Sequence, residues 1–485
     1  MRHRAGDTLD VRVESLGLDG LGRGALGGAP LGGADSSDVW VGNGLPGERG
    51  RALVTHAGRR RLVLRMLAWE GPRSALRRAP ACSRWTPQSP CRTMHLSRAA
   101  ELDLKRRAVC EALDSQKVST IVHDCQGDEA ALGWRSRVTL ALSRDRDQAW
   151  LGAYRRGTHQ LQPMDACLLP EPAITEAIRR LLPVLTRHRH LLPRAALRDD
   201  GGCGEPATAE ALARSVRRSV RYPAHAQELK HGLRHLTLRA NSRGEVMACV
   251  LGDTSGEELR TALRALAEDA LREAKLHSFY AGPTGPGDVI FGAEPPRLLA
   301  GASTFLEEVD DLQFELSPRA FFQVHRGAAA KLQAEAAALA VGPRVLDVFS
   351  GVGALALRVA RQGSQVVAVE SVPEAATLGA ASAKRNGLTA QFIQGDALTS
   401  LKHLAEPFTS VLVNPPRKGL GEGVHEQLAR LTRERLVYVS CNPKSLAADL
   451  ARLAGMGLMT RAVWPFDLFP ASEHVEALAL LERVR

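Results

Sequence analysis

The sequence predicts a mixed α/β chain in three parts: a small N-terminal β-barrel, a central α+β region and a C-terminal doubly wound parallel sheet. Three observations predict it. A length of 485 residues exceeds one ordinary domain and suggests about three. Short alternating segments between Gly-rich turns fill the start of the chain. From about residue 300, short continuous apolar strands alternate with helical stretches, the signature of a parallel sheet covered on both faces.

Residues 1–70 are read as the barrel. Leu9-Asp10-Val11-Arg12-Val13 alternates apolar and polar residues, and Val39-Trp40-Val41, Ala52-Leu53-Val54 and Arg61-Leu62-Val63-Leu64-Arg65 follow. Alternation of period two marks a half-buried strand. The stretch from Gly24 to Gly33 is read as a loose hairpin loop. Barrels of this size are a recurrent way of gripping RNA. Residues 71–290 form the central region. A helix is expected over Arg98–Leu113, a strand over Val138–Leu142, a helix near Ile174–Leu185, strands over Leu236–Leu238 and Glu245–Leu251, and a helix over Gly256–Ala274. Residues 190–232 read as a loop or insertion with Gly201-Gly202 and the basic run Arg214–Arg221. Residues 291–485 form the Rossmann-like part. Its strands are Arg344–Phe349, Val366–Val369, Ala390–Ile393, Val411–Val413 and Leu436–Val439, with a helix at Ala354–Arg361.

A hydrophobic fraction of 44% supports real cores. No apolar run approaches the ~20 residues a membrane span needs, and nothing apolar follows Met1-Arg2-His3-Arg4, so a secretory signal is not expected. The chain is read as soluble, cytoplasmic and free of membrane partners. A formal net charge of +11 suits a polyanionic partner, because Lys and Arg release counterions from a phosphate backbone. Eight cysteines (Cys82, Cys91, Cys110, Cys125, Cys167, Cys203, Cys249 and Cys441) are scattered along the chain. In a long cytosolic-type chain that pattern favours metal binding or catalysis over a disulfide framework.

Asp347-Val348-Phe349-Ser350-Gly351-Val352-Gly353 closes one strand and opens a helix. Glycines there let the backbone approach a ligand at the carboxyl end of a strand. Glu370 ends the next strand, where an acid can accept hydrogen bonds from both hydroxyls of a ribose. The Gly pair without a full G-x-G-x-x-G suits S-adenosylmethionine better than a dinucleotide. Asp396, in Gly395-Asp396-Ala397 after the third strand, is a candidate adenine contact. Ser440-Cys441-Asn442-Pro443 follows the strand ending at Val439, which puts Cys441 at the active edge of the sheet. A thiol so placed suits covalent catalysis, since part of it is already thiolate near neutral pH. Near the C-terminus Glu473, His474 and Glu476 are competing candidates for a general base.

Together these residues resemble the uracil-5 RNA methyltransferases that act on ribosomal and transfer RNA, over most of the chain. Ser317–Val324, Asp347–Gly353, Glu370, Asn414-Pro415-Pro416-Arg417-Lys418-Gly419, Ser440–Pro443 and His474-Val475-Glu476 match the family's motifs in order. The resemblance implies that Cys441 is the nucleophile and Glu476 the base. It implies that Gln323, Phe349, Gly351, Glu370, Asp396 and Asn414 hold S-adenosylmethionine. Leu45-Pro46-Gly47-Glu48 and the surrounding strands look like the family's TRAM domain, an RNA-binding barrel. A monomer acting on an RNA substrate is implied, with 23S ribosomal RNA favoured over transfer RNA.

Two departures stand out. The family usually has Asp where this chain has Asn414, which keeps the size but loses the charge and gains a donor. Many members also carry a four-cysteine iron–sulfur cluster. Cys82, Cys91 and Cys167 match three of its ligand positions and His95 keeps its spacing after Cys91, but Gln88 stands at the remaining ligand position and Ser89-Pro90 replace two glycines. A neutral amide is a poor iron–sulfur ligand beside thiolate, so the three cysteines are read as remnants of a lost [4Fe–4S] site, with metal ligation by Cys82, Cys91 and Cys167 in an intact cluster as the alternative. Two other functions are weighed. A methyltransferase for exocyclic amines would use Asn414-Pro415-Pro416, but Arg417 replaces that motif's aromatic residue and Cys441 would be left without a role. A catalytically impaired RNA-binding homologue would explain Asn414 and the eroded cysteine set.

Overall fold

The protein is described here from a computed structural model, which covers residues 3–26, 38–58, 61–87, 89–129, 131–154, 161–193, 232–286 and 289–484. Gln88, Cys203, Gly201-Gly202, the basic run Arg214–Arg221 and most of the expected Gly24–Gly33 loop lie outside the described residues.

Strands β1 (Thr8–Leu16), β2 (Gly22–Leu26), β3 (Asp38–Val41), β4 (Arg49–Ala57) and β5 (Arg61–Glu70) close into a barrel in the order β1-β2-β3-β5-β4. Alternation decides which way each residue faces: β5 buries Leu62, Leu64 and Met66 and turns Arg61, Val63 and Arg65 outward. Gly24 to Leu26, expected in a loop, form the end of β2. Glycine is needed there because a Cβ on Gly24 would stand 2.3 Å from the Arg12 carbonyl oxygen on the paired strand. On the outside, Trp40 lies between two guanidinium groups, Arg23 at 3.9 Å and Arg61 at 3.7 Å from the ring centroid.

The helix Arg98–Ser115 follows, capped by the Ser97 hydroxyl, and then the two-residue strand β6 (Ile121–Val122). The central sheet has seven strands, β7 (Arg137–Arg144), β8 (Ala149–Tyr154), β9 (Leu161–Pro163), β10 (Leu233–Ala240), β11 (Val246–Gly252), β12 (Ser278–Pro283) and β13 (Arg297–Gly301), ordered β13-β12-β11-β10-β7-β8-β9. Helices Pro172–Arg187 and Glu257–Ala274 bury their apolar stripes on it through Ile174, Leu181, Leu263 and Leu266. The hairpin β14 (Phe305–Val309) and β15 (Leu312–Leu316) leads to the last region.

There β16 (Arg344–Val348), β17 (Gln365–Glu370), β18 (Ala390–Gln394), β19 (Phe408–Val413), β20 (Thr432–Ser440), β21 (Leu458–Phe466) and β22 (Glu476–Arg483) join β6 in an eight-stranded sheet ordered β18-β17-β16-β19-β20-β22-β21-β6. Strands β16 to β20 are parallel, and β22 enters antiparallel between β20 and β21. The central strands are buried on both faces, completely for Val411–Val413 and Leu436–Val439, as two covered faces require, while β18 at the edge is not. Two strands cross the boundaries expected from sequence: β13 lies beyond residue 290 yet pairs in the central sheet, and β6 lies before it yet pairs in the last one.

A buried charge network ties the Arg98–Ser115 helix to the loop after β21. Lys105 Nζ, fully buried, donates to Asp467 Oδ1 at 2.5 Å and to the Phe469 carbonyl at 3.1 Å. Arg98 also pairs with Asp467. Glu101 Oε1 accepts from the Thr93 hydroxyl and the Ala471 N–H, each at 2.7 Å. No helix among the described residues is long and apolar enough to cross a membrane.

Candidate active site

The register of the last sheet lines up the candidate residues along one edge. Val348 pairs with Val413, Val413 with Tyr438 and Ser440 with Ala477. Each candidate follows or precedes one of these positions, so Phe349, Asn414 and Cys441 succeed one another across the carboxyl ends of β16, β19 and β20. Glu476 opens β22 opposite Cys441 because β22 runs the other way. Glu370 closes β17 on the other side of the Gly turn. This is the edge at which open parallel sheets take ligands.

At one end of the row stand a thiol and an acid. Cys441 is half-buried, and burial, with the Glu476 charge next in size, pushes its pKa up, while Arg417 pulls it down. Glu476 is 2% exposed, and its Oε2 has no hydrogen-bond partner among the described residues. Burial pushes its pKa up to about 8 against the opposing pull of Arg417 and of the Gln323 side chain. The Arg417 charge thus acts on both groups from the turn after β19. Burial, then the Arg417 charge, lowers the His474 pKa, and Glu473 pairs with Arg92 at 3.4 Å. Of the three competing acids and bases near the C-terminus, Glu476 is the one that the strand register sets across from the thiol.

At the other end is the Gly turn. Glu370 is 9% exposed; its carboxylate accepts from the Gly351 N–H at 2.9 Å and the Val372 N–H at 2.7 Å. Phe349 takes a left-handed φ of 64°, a conformation costly for a non-Gly residue and concentrated at ligand sites. A Cβ on Gly351 would meet nothing within 4 Å, so the turn opens onto free space. Asp396 is exposed and caps the helix Ala397–His403, its Oδ1 accepting from the Thr399 N–H at 3.1 Å. The Asn414 backbone N–H donates to the Val348 carbonyl at 3.3 Å, which fastens the start of its turn to β16.

Two residues escaped the sequence reading as individual candidates. Arg417 follows two prolines, where a charged residue reads as a solvated turn. Asp347 is 1% exposed, neither carboxylate oxygen has a hydrogen-bond partner of good geometry among the described residues, and burial, opposed by the Ala356 N–H, raises its pKa to about 8. An acid one residue from a strand's end, before a Gly turn, was the available signal. These features fit S-adenosylmethionine: an open Gly turn, a ribose-type acid beside it and an unpaired buried carboxyl below.

Cys82, Cys91 and Cys167 come together in one cluster with Trp85, Met94 and Trp134. Burial, then the neighbouring thiols Cys167 and Cys82, push the Cys91 pKa up to about 12. The charge of the half-buried Arg135 acts on Cys91 and Cys167. Among the described residues no group of three or more His, Cys, Asp or Glu side chains is set to hold a metal ion.

The profile of the family described as tRNA (Uracil-5-)-methyltransferase matches residues 398–484, and a general methyltransferase-domain profile matches residues 345–434. An uncharacterised RNA methyltransferase of Gloeobacter violaceus is 30% identical over 404 residues, which is 81% of this chain and 80% of that protein. One from Geobacter sulfurreducens is 28% identical over 99% of this chain and 90% of its own length. Among solved structures, the Pyrococcus abyssi tRNA (uracil-54, C5)-methyltransferase, solved with S-adenosyl-L-homocysteine, shares the fold with a TM-score of 0.70 at 22% identity, over 98% of this chain and 100% of that one. With such a relative aligned over four-fifths of both chains, and the thiol-to-carboxyl end of the sheet inside the matched profile, this chain belongs to the S-adenosylmethionine-dependent RNA (uracil-5-)-methyltransferase family.

Proposed function

We propose that the chain methylates carbon 5 of a uridine in 23S ribosomal RNA, through a covalent bond between Cys441 and carbon 6 of the base. The observation that carries this reading is the opposition of Cys441 and Glu476 across β20 and β22, in line with the Gly351 turn. Carbon 5 of uracil is a weak nucleophile. The Cys441 sulfur bonds to carbon 6, and the carbon 5–carbon 6 π electrons move toward oxygen 4, which makes carbon 5 electron-rich. S-adenosylmethionine, when bound, would supply an electrophilic methyl group on a sulfonium centre, so that carbon 5 gains the methyl group and S-adenosylhomocysteine leaves. The Glu476 carboxylate then takes the carbon-5 proton, the double bond re-forms and the thiolate leaves. Burial, which raises the Glu476 pKa to about 8, makes its carboxylate a stronger base than an ordinary one.

In this reading Gln323, Phe349, Gly351, Glu370, Asp396 and Asn414 hold the cofactor. Glu370 would exchange its bonds to Gly351 and Val372 for ribose hydroxyls, and Asp396 is the weakest member because its carboxylate already caps a helix. The barrel would hold RNA through Trp40 and its flanking arginines. The target base must leave its stack to reach Cys441, which costs least in a loop. Transfer RNA is the second reading, favoured by the substrate named for the Pyrococcus abyssi enzyme of the same fold. The test is transfer of labelled methyl from S-adenosylmethionine to unmodified 23S and transfer RNA transcripts, with a parallel trap using 5-fluorouridine RNA. A denaturation-resistant protein–RNA band and label in 23S RNA are expected. Label on an exocyclic amine, or RNA binding without any label, would overturn the proposal.

A further inference from the structure

The turn that carries Arg417 is exposed, yet it is fastened beside Cys441, and the Arg417 charge acts on both Cys441 and Glu476. Two anchors fix the turn. Upstream, the Arg417 carbonyl accepts from Asn442 Nδ2 at 2.9 Å and from the Ser445 hydroxyl at 3.1 Å. Downstream, the Leu420 N–H donates to Asp449 Oδ2 at 2.9 Å. Between them Gly419, at φ 81°, passes so close to that oxygen that a Cβ would lie 2.5 Å from it.

Asp449 lies on the buried face of the helix Pro443–Ala454, which begins just after Cys441. It is 7% exposed, and its carboxylate takes two further donors: the Tyr438 hydroxyl at 2.6 Å on Oδ2 and His425 Nε2 at 2.8 Å on Oδ1. A carboxylate removed from water is costly unless its lone pairs are used. Here three donors from three elements use them. Tyr438 belongs to β20, the strand that ends beside the thiol; Leu420 belongs to the Arg417 turn; His425 belongs to the helix Val424–Leu431. The charged groups acting on the thiol itself are Glu476 and Arg417, with the Tyr438 hydroxyl close enough to interact.

We propose that Asp449 is a positioning residue that locks the Arg417 turn onto β20, and that it thereby sets how much of Cys441 is thiolate. The proposal rests on the reading of Cys441 as nucleophile for its meaning in catalysis, but not for its test. The test is the rate of Cys441 alkylation by iodoacetamide across pH, read by mass spectrometry of its peptide, on the full chain. Asp449→Asn and Tyr438→Phe should move the alkylation midpoint to higher pH and slow the reaction near neutral pH by about fivefold or more. Arg417→Gln should do the same, and adding Asp449→Asn to it should cause no further shift. A purely structural Asp449 would lower the unfolding midpoint and leave the alkylation profile of the folded protein unmoved, which overturns the proposal. If Asp449→Asn does not fold, Tyr438→Phe, which removes one donor of three, carries the same test. A shifted profile with methyl transfer surviving in Cys441→Ala would sink the nucleophile and leave the positioning role standing; an unmoved profile with Cys441→Ala inactive would do the reverse.

Discussion

Cys441 and Glu476 each meet a neighbour that opposes their burial, and that neighbour is the same Arg417. Replacing Cys441 with Ala should lower labelled-methyl incorporation by about a thousandfold or more, while binding of a non-reactive S-adenosylmethionine analogue, measured by calorimetry, stays within about twofold because the Gly351 turn is not touched. Glu476→Gln should accumulate the protein–RNA adduct on denaturing gels; fast release of RNA would assign the base role elsewhere. Methyl transfer should rise with pH toward about 8, since Glu476 and Cys441, both with raised pKa values, gain their reactive forms as protons leave. Stability should run the opposite way. A carboxyl at about 8 in the native state but at an ordinary value when unfolded binds more protons when folded, so stability is full at low pH and is lost between about 4.5 and 8. Asp347, also at about 8, has the same sign. Urea unfolding of the ligand-free protein should therefore show stability falling over that window, less steeply in Glu476→Gln. The places of the thiol and of the acid across from it were legible in sequence because each sits at a strand end beside a turn. Arg417, Asp347 and Asp449 were not, because their roles depend on which elements the fold brings against them.

Among the elements, the continuous apolar strands β16, β19 and β20 were the most legible, since a run buried on both faces admits few other readings. β2 was hidden by glycines that exist for close strand approach, and β6 by its two-residue length, which carries no period at all. The helix Arg98–Ser115 was visible as a helix, but its partner was not: nothing local announces that Lys105 is to be fully buried against Asp467. Lys105→Met should destabilise the fold by roughly 3–5 kcal/mol, because it leaves Asp467 with one cation fewer in a dry site. Chemical denaturation checks this. A double variant that also makes Asp467 Asn should recover part of the loss, since the stranded charge is then gone.

For the whole molecule, a net charge of +11 and a barrel displaying a Trp between two arginines set the terms of RNA binding. Affinity for RNA should fall roughly tenfold or more between 50 and 200 mM salt by filter binding, with a log–log slope that Arg23→Ala and Arg61→Ala make shallower. The three-part order of the chain was legible from its changing rhythm, but not the exchange of strands across the boundaries. That exchange has a consequence for synthesis. Lys105 leaves the ribosome 362 residues before the carboxylate it needs. Its helix must stay unsealed while the central sheet is made, and the final lobe cannot close until its last strands arrive to meet a segment translated long before. The nascent chain thus carries an open seam for most of its elongation, and a C-terminal fragment expressed alone would lack the piece that shuts it.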